Sequence, residues 1–324
     1  MTHAIRVHAI GGPEVLQWEA VDVPAPGPGE ARVRHTAVGL NYIDIYLRTG
    51  LYAAPLPFTP GFEAAGVVEA VGSGVTDLAV GDRVAYANGP LGAYAEARVM
   101  PADRLVKVPA SIDDDTAAAM MLQGMTAQYL LHRTYRVQRG DTILVHAAAG
   151  GVGLILCQWA KHLGATVIGT VSSDEKAALA RANGCDHPIV YTREDFQARV
   201  MEITDGRKVP VVYDSVGVDT FAKSLDCLAP LGMMVLYGQA SGPVPPFELG
   251  TLAAKGSLFI TRPTLFSYTA QRADLVETAD SLFRVVADGV VKIAVNQRYA
   301  LRDAASAQRD LEARKTTGST VLTV

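Results

Sequence analysis

Small residues follow an apolar stretch near the middle of the chain, at residues 142–153. Residues 142–146 read as a strand, and Ala147, Gly150 and Gly153 then form an A-x-x-G-x-x-G turn that opens a helix-like segment. Small side chains let the main chain approach a pyrophosphate closely, and the first N–H groups of a helix attract its negative charge. This strand–turn–helix context predicts a dinucleotide site. The alternative is an ordinary glycine-rich turn that binds nothing.

The residue about twenty positions further on, at the end of the next strand, distinguishes NAD from NADP, because a carboxylate there binds the 2′-hydroxyl of NAD. This chain has Ser172 at that place. A hydroxyl there, with Lys176 one turn along and the ring of Tyr191 after the third strand, favours the 2′-phosphate of NADPH. Two observations oppose this interpretation. Ser172 and Glu175 fit an S-x-x-E capping box, and Asp174 and Glu175 bring negative charge close to the phosphate.

Motifs of several other reactions do not occur in the sequence. It contains no G-x-S-x-G, no G-x-x-x-x-G-K-[ST] and no H-E-x-x-H, and none of its 12 tyrosines is followed four residues later by lysine. Hydrolases, P-loop proteins and short-chain dehydrogenases depend on these residues. The sequence therefore does not support those three chemistries.

Strand and helix signals alternate after residue 123, in the elements that must position the glycine turn. Six runs read as strands: 142–146, 165–171, 188–191, 210–213, 233–237 and 258–261. Between the first two runs, apolar side chains recur at helical spacing, namely Val152, Ile155, Leu156, Trp159, Ala160 and Leu163. Strands that alternate with helices predict a parallel, doubly wound sheet, and six strands is the number typical of a dinucleotide fold.

The chain on either side of this region has a different pattern. Residues 4–109 read as short strands interrupted by Gly and Pro, which is typical of a barrel or sandwich. The last ~55 residues are mixed, with an amphipathic helix around 275–286 and a final strand at 320–324. We therefore predict a β-rich domain of residues 1–122, completed by 266–324, and a dinucleotide-binding domain of residues 123–265.

Composition and charge exclude several classes of protein. The formal net charge is −4, whereas proteins that bind nucleic acid or membrane surfaces have a basic excess. The three cysteines are far apart, which predicts neither a disulfide framework nor a cysteine-rich zinc site and favours a reducing, cytoplasmic location. The first residues do not have the pattern of a signal peptide, and no apolar stretch reaches the ~18 residues of a membrane span.

Six motifs in order along the chain resemble the medium-chain dehydrogenase/reductase superfamily, and its quinone oxidoreductase (ζ-crystallin-like) branch in particular. They are residues 11–16 (GGPEVL), 39–46 (GLNYIDIY), 60–66 (PGFEAAG), 80–84 (VGDRV), 146–153 (HAAAGGVG) and 212–217 (VYDSVG). The resemblance spans almost the whole chain. It implies an α/β fold with a GroES-like β-rich catalytic domain and a six-stranded Rossmann domain.

Zinc-dependent relatives in this superfamily have a cysteine at the position of Asn41 and Gly-His-Glu at the position of Gly61-Phe62-Glu63. Neither Asn41 nor Phe62 is a suitable zinc ligand. The structural zinc lobe of those relatives needs four closely spaced cysteines, and this chain has three that are scattered. The resemblance therefore implies hydride transfer without a metal.

The resemblance also implies which residues bind NADPH and the substrate. A quinone would stack above the nicotinamide, beneath Tyr46 and Tyr52, in a cleft between the domains, and Asn41, Tyr46 and Tyr52 are the candidate catalytic residues. The candidate cofactor-binding residues are Asn41, Asp44, Tyr46, Thr126, Tyr129, Gly151, Val152, Ser172, Lys176, Tyr191, Ser215, Tyr237, Gly238, Ser241, Leu265 and Arg314.

Three hypotheses about function follow. The first is NADPH-dependent reduction of quinones by a homodimer, with the apolar strand at residues 257–261 pairing at the sheet edge. The second is reduction of the double bond of an alkenal or enone by the same scaffold. The third, from a different class, is a crystallin-like or RNA-binding role, which the lack of basic or stacking residues disfavours.

Overall fold

The computed structural model describes residues 2–324. The strands of this part of the chain are β1 (Thr2–Val7), β2 (Leu16–Val21), β3 (Glu30–Leu40), β4 (Glu63–Val71), β5 (Arg83–Tyr86), β6 (Ala97–Pro101), β7 (Val106–Lys107), β8 (Thr142–Val145), β9 (Thr166–Val171), β10 (His187–Val190), β11 (Val209–Asp214), β12 (Leu228–Leu236), β13 (Phe259–Thr261), β14 (Val295–Ala300) and β15 (Ser319–Thr323).

The helices are α1 (Tyr42–Arg48), α2 (Asp114–Tyr129), α3 (Gly151–His162), α4 (Asp174–Ala182), α5 (Phe196–Ile203), α6 (Phe221–Cys227), α7 (Gly250–Ala254), α8 (Leu265–Tyr268), α9 (Arg272–Ala287) and α10 (Ala304–Glu312). Short 3-10 turns lie at Pro13–Val15, Ala102–Arg104 and Leu301–Asp303, and a π turn at Leu130–Thr134 follows α2. Within residues 2–324, no helix combines the length and the apolar character that a membrane crossing requires.

The chain forms two compact units. The first contains residues 1–125, 268–287 and 293–324, and the second contains residues 126–267 and 288–292. The sequence-based boundaries, after residues 122 and 265, stay a prediction.

The first unit is built on a seven-stranded, mainly antiparallel sheet in the order β14-β15-β3-β4-β5-β7, with β6 also paired to β3. The final strand β15 pairs antiparallel with β3, with Thr320 opposite Leu40. Strands β1 and β2 form a separate antiparallel pair. The core of this unit consists of apolar side chains that alternate along the strands, such as Val33, Val38 and Leu322.

The second unit is a parallel sheet in the order β10-β9-β8-β11-β12-β13. All six predicted strands are present, and the predicted doubly wound fold is confirmed. The strand order reverses between β8 and β11. From β8 the chain adds β9 and β10 on one side, and from β11 it adds β12 and β13 on the other side. Ligands of such sheets bind at the carboxyl ends of the strands near this reversal.

Helix α3 lies against this sheet through the predicted stripe. Ile155, Leu156 and Trp159 are buried, whereas Val152 in the first turn is only half-buried. Leu154, which also lies in the first turn, is buried. The apolar pattern therefore identifies the face of the helix that packs on the sheet, and Val152 is a more exposed member of that face.

Candidate functional site

The loop after β8 turns sharply before α3 begins. Ala147 adopts a left-handed conformation with φ of 52°, and the N–H of Gly150 donates to the carbonyl of Ala147 at 2.9 Å. Gly150 is the residue before the helix, and it brings no side chain over the first turn. The first N–H groups of a helix have no acceptor within the helix. Those of α3 are therefore directed at the space beyond the turn, as an anion site requires.

Gly153 lets the helix and the strand approach closely. A Cβ atom at this position would lie 2.3 Å from the carbonyl oxygen of Ala147 and 2.8 Å from Cα of Ala148. A methyl group does not fit in that space, so the third small residue of the motif has a packing role. At Gly150 a Cβ atom would meet the same carbonyl at 3.2 Å, which is tight but much less so.

His146 anchors the turn to its neighbours. Its Nδ1 atom hydrogen-bonds to Thr170 Oγ1 at 2.9 Å, and its Nε2 atom hydrogen-bonds to Ser224 Oγ at 2.8 Å. The ring is fully buried, and burial lowers the pKa of His146 because it disfavours the charged imidazolium. The neutral ring holds the end of β8 against β9 and α6, and so positions the glycine turn.

The next two strand ends bring Ser172 and Tyr191 side by side. Ser172 follows the last residue of β9, and Tyr191 follows the last residue of β10. The N–H of Tyr191 donates to the carbonyl of Val171 at 3.1 Å, and Thr192 Oγ1 donates to the carbonyl of Ser172 at 3.2 Å. The two loops are therefore joined where the adenosine end of the cofactor is predicted to lie.

The capping role considered for Ser172 is wrong. The residue that caps α4 is Ser173, whose Oγ accepts from the N–H of Lys176 at 3.3 Å. An S-x-x-E pattern and an S-x-x-K pattern are offset by one residue here, and the helix begins after the later serine. Ser172, half-buried at the strand end, is thus not engaged as the helix cap.

The loops after β11 and β12 are packed together. A Cβ atom at Gly238 would lie 2.8 Å from Cα of Ser215, so these two residues adjoin. Ser241 Oγ donates to the carbonyl of Val216 at 2.8 Å, and the N–H of Tyr237 donates to the carbonyl of Asp214 at 2.8 Å. The four predicted residues of these loops therefore share one strand-end region of the sheet.

The remaining predicted residues of the second unit lie on two helices. Thr126 and Tyr129 are buried on the last turn of α2, and Leu265 is buried as the first residue of α8, after β13. All the predicted residues of this unit other than Thr126 and Tyr129 thus follow the carboxyl ends of the parallel strands.

In the first unit, Asn41 and Asp44 lie at the start of α1 within a buried polar cluster. Asn41 Nδ2 donates to Glu63 Oε2 at 2.6 Å, and Gln123 Nε2 donates to Asn41 Oδ1 at 3.2 Å. Asp44 Oδ2 accepts from the Asn41 N–H and from the Tyr94 hydroxyl, both at 2.9 Å. Sequence reasoning did not single out Glu63, Gln123 or Tyr94 as members of this cluster.

Burial governs the two carboxyl groups of this cluster. It raises the pKa of Asp44 to about 7 and that of Glu63 to about 8, although hydrogen bonds from Asn41 act in the opposite direction on both. Glu63 Oε1 also accepts the N–H of Leu122 in α2 at 2.7 Å. Both carboxyl groups therefore titrate near neutral pH rather than near pH 4.

Three tyrosine rings gather beside this cluster. The Tyr46 and Tyr52 rings lie 5.2 Å apart in an edge-on arrangement, and the Tyr42 and Tyr46 rings lie 5.4 Å apart. The N–H of Tyr52 donates to the carbonyl of Tyr46 at 3.0 Å, which fixes the loop after α1. Tyr42 is a site candidate that the sequence did not indicate, although its spacing of four residues from Tyr46 places both rings on one face of α1.

Arg314 lies in the same unit, just after α10. It is exposed, and its φ of 59° is unusual for a residue with a side chain. Burial raises the pKa of Tyr42, and the charges of Glu312 and Arg314 act on the same hydroxyl in opposite directions. Arg314 is therefore close enough to this tyrosine for their charges to interact.

The sequence signals for the missed residues were present in part. Glu63 belongs to the quoted segment 60–66, and the N-x-x-D spacing of Asn41 and Asp44 marks a helix start. Tyr94 and Gln123 have no local signal, because they reach this cluster only through pairing of distant segments. No group of three or more His, Cys, Asp and Glu side chains within residues 2–324 is arranged to bind a metal ion.

Comparison with known proteins agrees with this architecture. The family model of the alcohol dehydrogenase GroES-like domain matches residues 27–110, and that of the zinc-binding dehydrogenase matches residues 151–281. The chain is 57% identical over 323 residues to a quinone oxidoreductase of Pseudomonas aeruginosa, and 51% identical over 329 residues to a 2-haloacrylate reductase of Burkholderia; each match covers 99% of both chains.

A solved structure gives the same result. The chain superposes on the quinone oxidoreductase of Escherichia coli complexed with NADPH, with a TM-score of 0.98, 48% identity and full coverage of both chains. Because the relatives match along their whole length, the likeness includes both units. The chain belongs to the quinone oxidoreductase family of the medium-chain dehydrogenases/reductases.

Proposed function

We propose that this protein uses NADPH to reduce quinones. The observation that carries the proposal is the full-length similarity to quinone oxidoreductases, one of them solved with NADPH, in a chain whose glycine turn has the geometry of an anion site. A steady-state assay with 1,4-benzoquinone and naphthoquinones, each with NADPH and with NADH, tests it. We expect NADPH oxidation that depends on quinone, and no oxidation with any quinone would refute the proposal.

The residues at the strand ends fit a phosphorylated dinucleotide. Gly151 and Val152 would bind the pyrophosphate through their N–H groups, and Ser172, Lys176 and Tyr191 would bind the 2′-phosphate. The fit is supported by the left-handed turn at Ala147 and by the placement of the α4 cap on Ser173 rather than on Ser172. Bound NADPH supplies the reducing electrons.

The tyrosine group of the first unit supports a role in orienting the quinone. Tyr46 is buried and in edge contact with the half-buried Tyr52, so the two rings form one aromatic pair, and each carries a hydroxyl group that could hydrogen-bond to a quinone oxygen. Asn41 is held between Glu63 and Gln123, and its amide is therefore fixed in orientation. Fixed side chains of this kind lower a barrier by holding reacting groups in place.

Substitution of the hydroxyl groups tests this role. Tyr52→Phe and Tyr46→Phe keep the rings and remove the hydrogen bonds that would orient a quinone oxygen. We expect a fall in kcat/KM for quinone of about fivefold to twentyfold with no change in NADPH affinity. Tyr299→Phe, whose hydroxyl donates to Asp310 at 2.8 Å on the same unit, is the matched control.

We also infer that the reaction needs no zinc. The position that is a cysteine in zinc-dependent relatives is Asn41, whose side-chain amide donates to Glu63, and the neighbouring position is Phe62. Activity should survive dialysis against a zinc chelator, with elemental analysis showing less than stoichiometric metal. Loss of activity that zinc alone restores would contradict this.

Reduction of an activated carbon–carbon double bond is a second candidate. The observation that favours it is the 51% identity to a 2-haloacrylate reductase over almost the whole chain. Product analysis separates the two activities, because a saturated product forms from an alkenal, enone or haloacrylate only in this case. Parallel assays at matched concentrations show which substrate class has the larger kcat/KM.

We further propose a cytoplasmic homodimer. Strand β13 is an edge strand of the second unit's sheet, and its side chain Phe259 is 56% exposed. An edge with unpaired main-chain groups and an exposed aromatic ring is suited to pairing with a second copy.

A further inference from the structure

An ion pair connects the two loops that follow β9 and β10. Arg193 Nη1 donates to Asp174 Oδ2 at 2.6 Å, and Arg193 Nη2 donates to Asp174 Oδ1, so the guanidinium binds both carboxylate oxygens. Asp174 is the first residue of α4 and lies two positions after Ser172, and Arg193 lies two positions after Tyr191. The pair therefore flanks the region that the proposed function assigns to the 2′-phosphate.

Asp174 would otherwise oppose a phosphate. The Arg193 guanidinium lowers the pKa of Asp174, so the carboxyl group is ionised throughout the neutral range. A carboxylate near this strand end repels a 2′-phosphate, and a carboxylate at the end of the second strand is the device by which other dinucleotide folds select NAD. The sequence alone therefore contains conflicting charges here, with Asp174 and Glu175 against Lys176.

In the structure, the guanidinium of Arg193 offsets the negative charge of Asp174, and no local sequence signal indicates this contact. Arg193 is nineteen residues from Asp174 and reaches it only because β9 and β10 pair in parallel, with Val171 opposite Val190. The nearby Glu194 acts on this arginine less than Asp174 does, and its carboxylate accepts the N–H of Val190 at 3.0 Å and pairs with Arg199 at 3.3 Å.

Holding the loops together does not require this ion pair. Tyr191 and Val171 are joined through the main chain, and Thr192 is bonded to the carbonyl of Ser172. Both members of the pair are more than half exposed, and exposed ion pairs contribute little to stability. The ion pair therefore affects the local charge near Ser172 more than it affects the stability of the fold.

We propose that Arg193 strengthens the preference for NADPH by neutralising Asp174, so that this carboxylate opposes a 2′-phosphate bound beside Ser172 and Lys176 less strongly. The inference rests on the proposed function and adds a specificity-determining residue to it. Arg193 acts through Asp174 and is a positioning residue.

Direct binding to the whole protein tests the inference, with adenosine 2′,5′-bisphosphate and 5′-AMP as probes in calorimetry at low ionic strength. The ratio of their dissociation constants isolates the 2′-phosphate. We expect Arg193→Gln to reduce the preference for the bisphosphate by about threefold to fivefold, and the loss to shrink at 0.5 M salt because salt screens exposed charges. The double variant Arg193→Gln/Asp174→Asn should recover the wild-type preference to within about twofold.

Arg207→Gln is the matched control. It removes an exposed arginine of the same unit that pairs with Asp205 at 3.7 Å, just before β11 begins and thus at the amino end of the sheet. An unchanged preference in Arg193→Gln, or a double variant that does not recover, would overturn the inference while leaving the proposed function intact. A wild-type protein that does not prefer the bisphosphate would instead refute the use of NADPH.

Discussion

Two adjacent serines have different functions in the structure. Ser173 caps α4, whereas Ser172 remains at the end of β9 beside Tyr191. The difference follows from the backbone, because a capping residue must be the last extended residue before the helix, and Ser173 has φ of −151° and ψ of 168°. Ser173 therefore serves the helix, and Ser172 is left for the proposed contact with the cofactor.

We predict opposite effects for the two alanine substitutions. Ser173→Ala should lower the free energy of unfolding by about 1 kcal/mol, because α4 loses its cap, and should change NADPH affinity little. Ser172→Ala should leave the unfolding free energy unchanged and weaken NADPH binding about tenfold, with a smaller effect on NADH. Urea denaturation and titration calorimetry measure the two quantities, and equal loss of NADPH and NADH affinity in Ser172→Ala would contradict the assignment.

The buried carboxyl groups make stability depend on pH. Asp44 has a pKa raised to about 7 and Glu63 a pKa raised to about 8, each above its value in an unfolded chain, because burial disfavours the charged form. The folded protein then binds more protons than the unfolded chain between about pH 4 and pH 8. The free energy of unfolding must fall as the pH rises through this range and be largest below it, as far as these two groups determine it.

We predict that Asp44→Asn reduces this pH dependence. In the wild type, the unfolding free energy should decrease by about 1 kcal/mol per pH unit between pH 5 and pH 7 for each of these two carboxyl groups, because each is largely protonated in the folded protein and ionised in the unfolded chain. The variant removes one such group and retains an oxygen that can accept from Tyr94. Urea denaturation at pH 5, 6, 7 and 8 measures the slope, with the exposed Asp103→Asn as control, and a slope in the variant equal to that of the wild type would contradict the prediction.

At the level of single residues, the sequence predicted side chains that directly follow a strand, but not the contacts between distant segments. Ser172, Tyr191 and Ser215 could be placed because each follows an apolar run that is recognisable by itself. Arg193 and Gln123 could not, because their contacts depend on which distant segments pair. The position of a side chain can be predicted from the sequence when the strand before it can be recognised. It cannot be predicted when the contact is made with a residue of a distant element.

Among the elements, the glycine turn between β8 and α3 is the most constrained. Three features define it: the left-handed Ala147, the closeness of Gly153 to the end of the strand, and the anchoring of His146 by Thr170 and Ser224. Helix α3 begins after Gly150 and at Gly151, so no side chain covers its first N–H groups at these two positions. A change of one methyl group here tests whether the close approach of helix and strand matters.

We predict a strong effect at Gly153 and a weak one at Gly150. Gly153→Ala would place a methyl group 2.3 Å from the carbonyl oxygen of Ala147, so helix and turn must separate; we expect a loss of roughly 1–3 kcal/mol in stability and a clear loss of NADPH affinity. Gly150→Ala meets the same oxygen at 3.2 Å and loses the N-cap preference for Gly over Ala, so it should cost roughly 0.5–1 kcal/mol. Thermal unfolding and calorimetry compare the two variants, and equal effects would contradict the packing role of Gly153.

Periodicity identified the parallel sheet correctly but gave less information about the antiparallel one. The six parallel strands are separated by helices, so each has clear boundaries in the sequence, whereas their order is known only from the structure. In the first unit, β3 pairs with β4, β6 and β15, which are spread along the chain. Long-range antiparallel pairing of this kind has no local sequence signal.

At the scale of the whole molecule, the edge strand β13 is where we propose that a second copy pairs. Phe259→Glu adds a charge at an exposed position of that edge without disturbing the core. We predict that the wild type is a dimer by light scattering and that this variant shifts toward monomer by at least tenfold in dissociation constant. Val80→Glu, at an equally exposed apolar position on the first unit, is the control, and a wild-type monomer would refute the proposed assembly.

The reversal of strand order between β8 and β11 separates two sets of loops. The loops after β9 and β10, with Ser172 and Arg193, lie on one side of it, and the loops after β11 and β12, with Ser215 and Gly238, lie on the other. Because each set is joined by its own hydrogen bonds, a designer could transplant the first set from an NAD-selective homologue and retain the second unaltered. If the loops after β9 and β10 select the coenzyme as proposed, this topology lets that selection change in evolution without rebuilding the rest of the sheet.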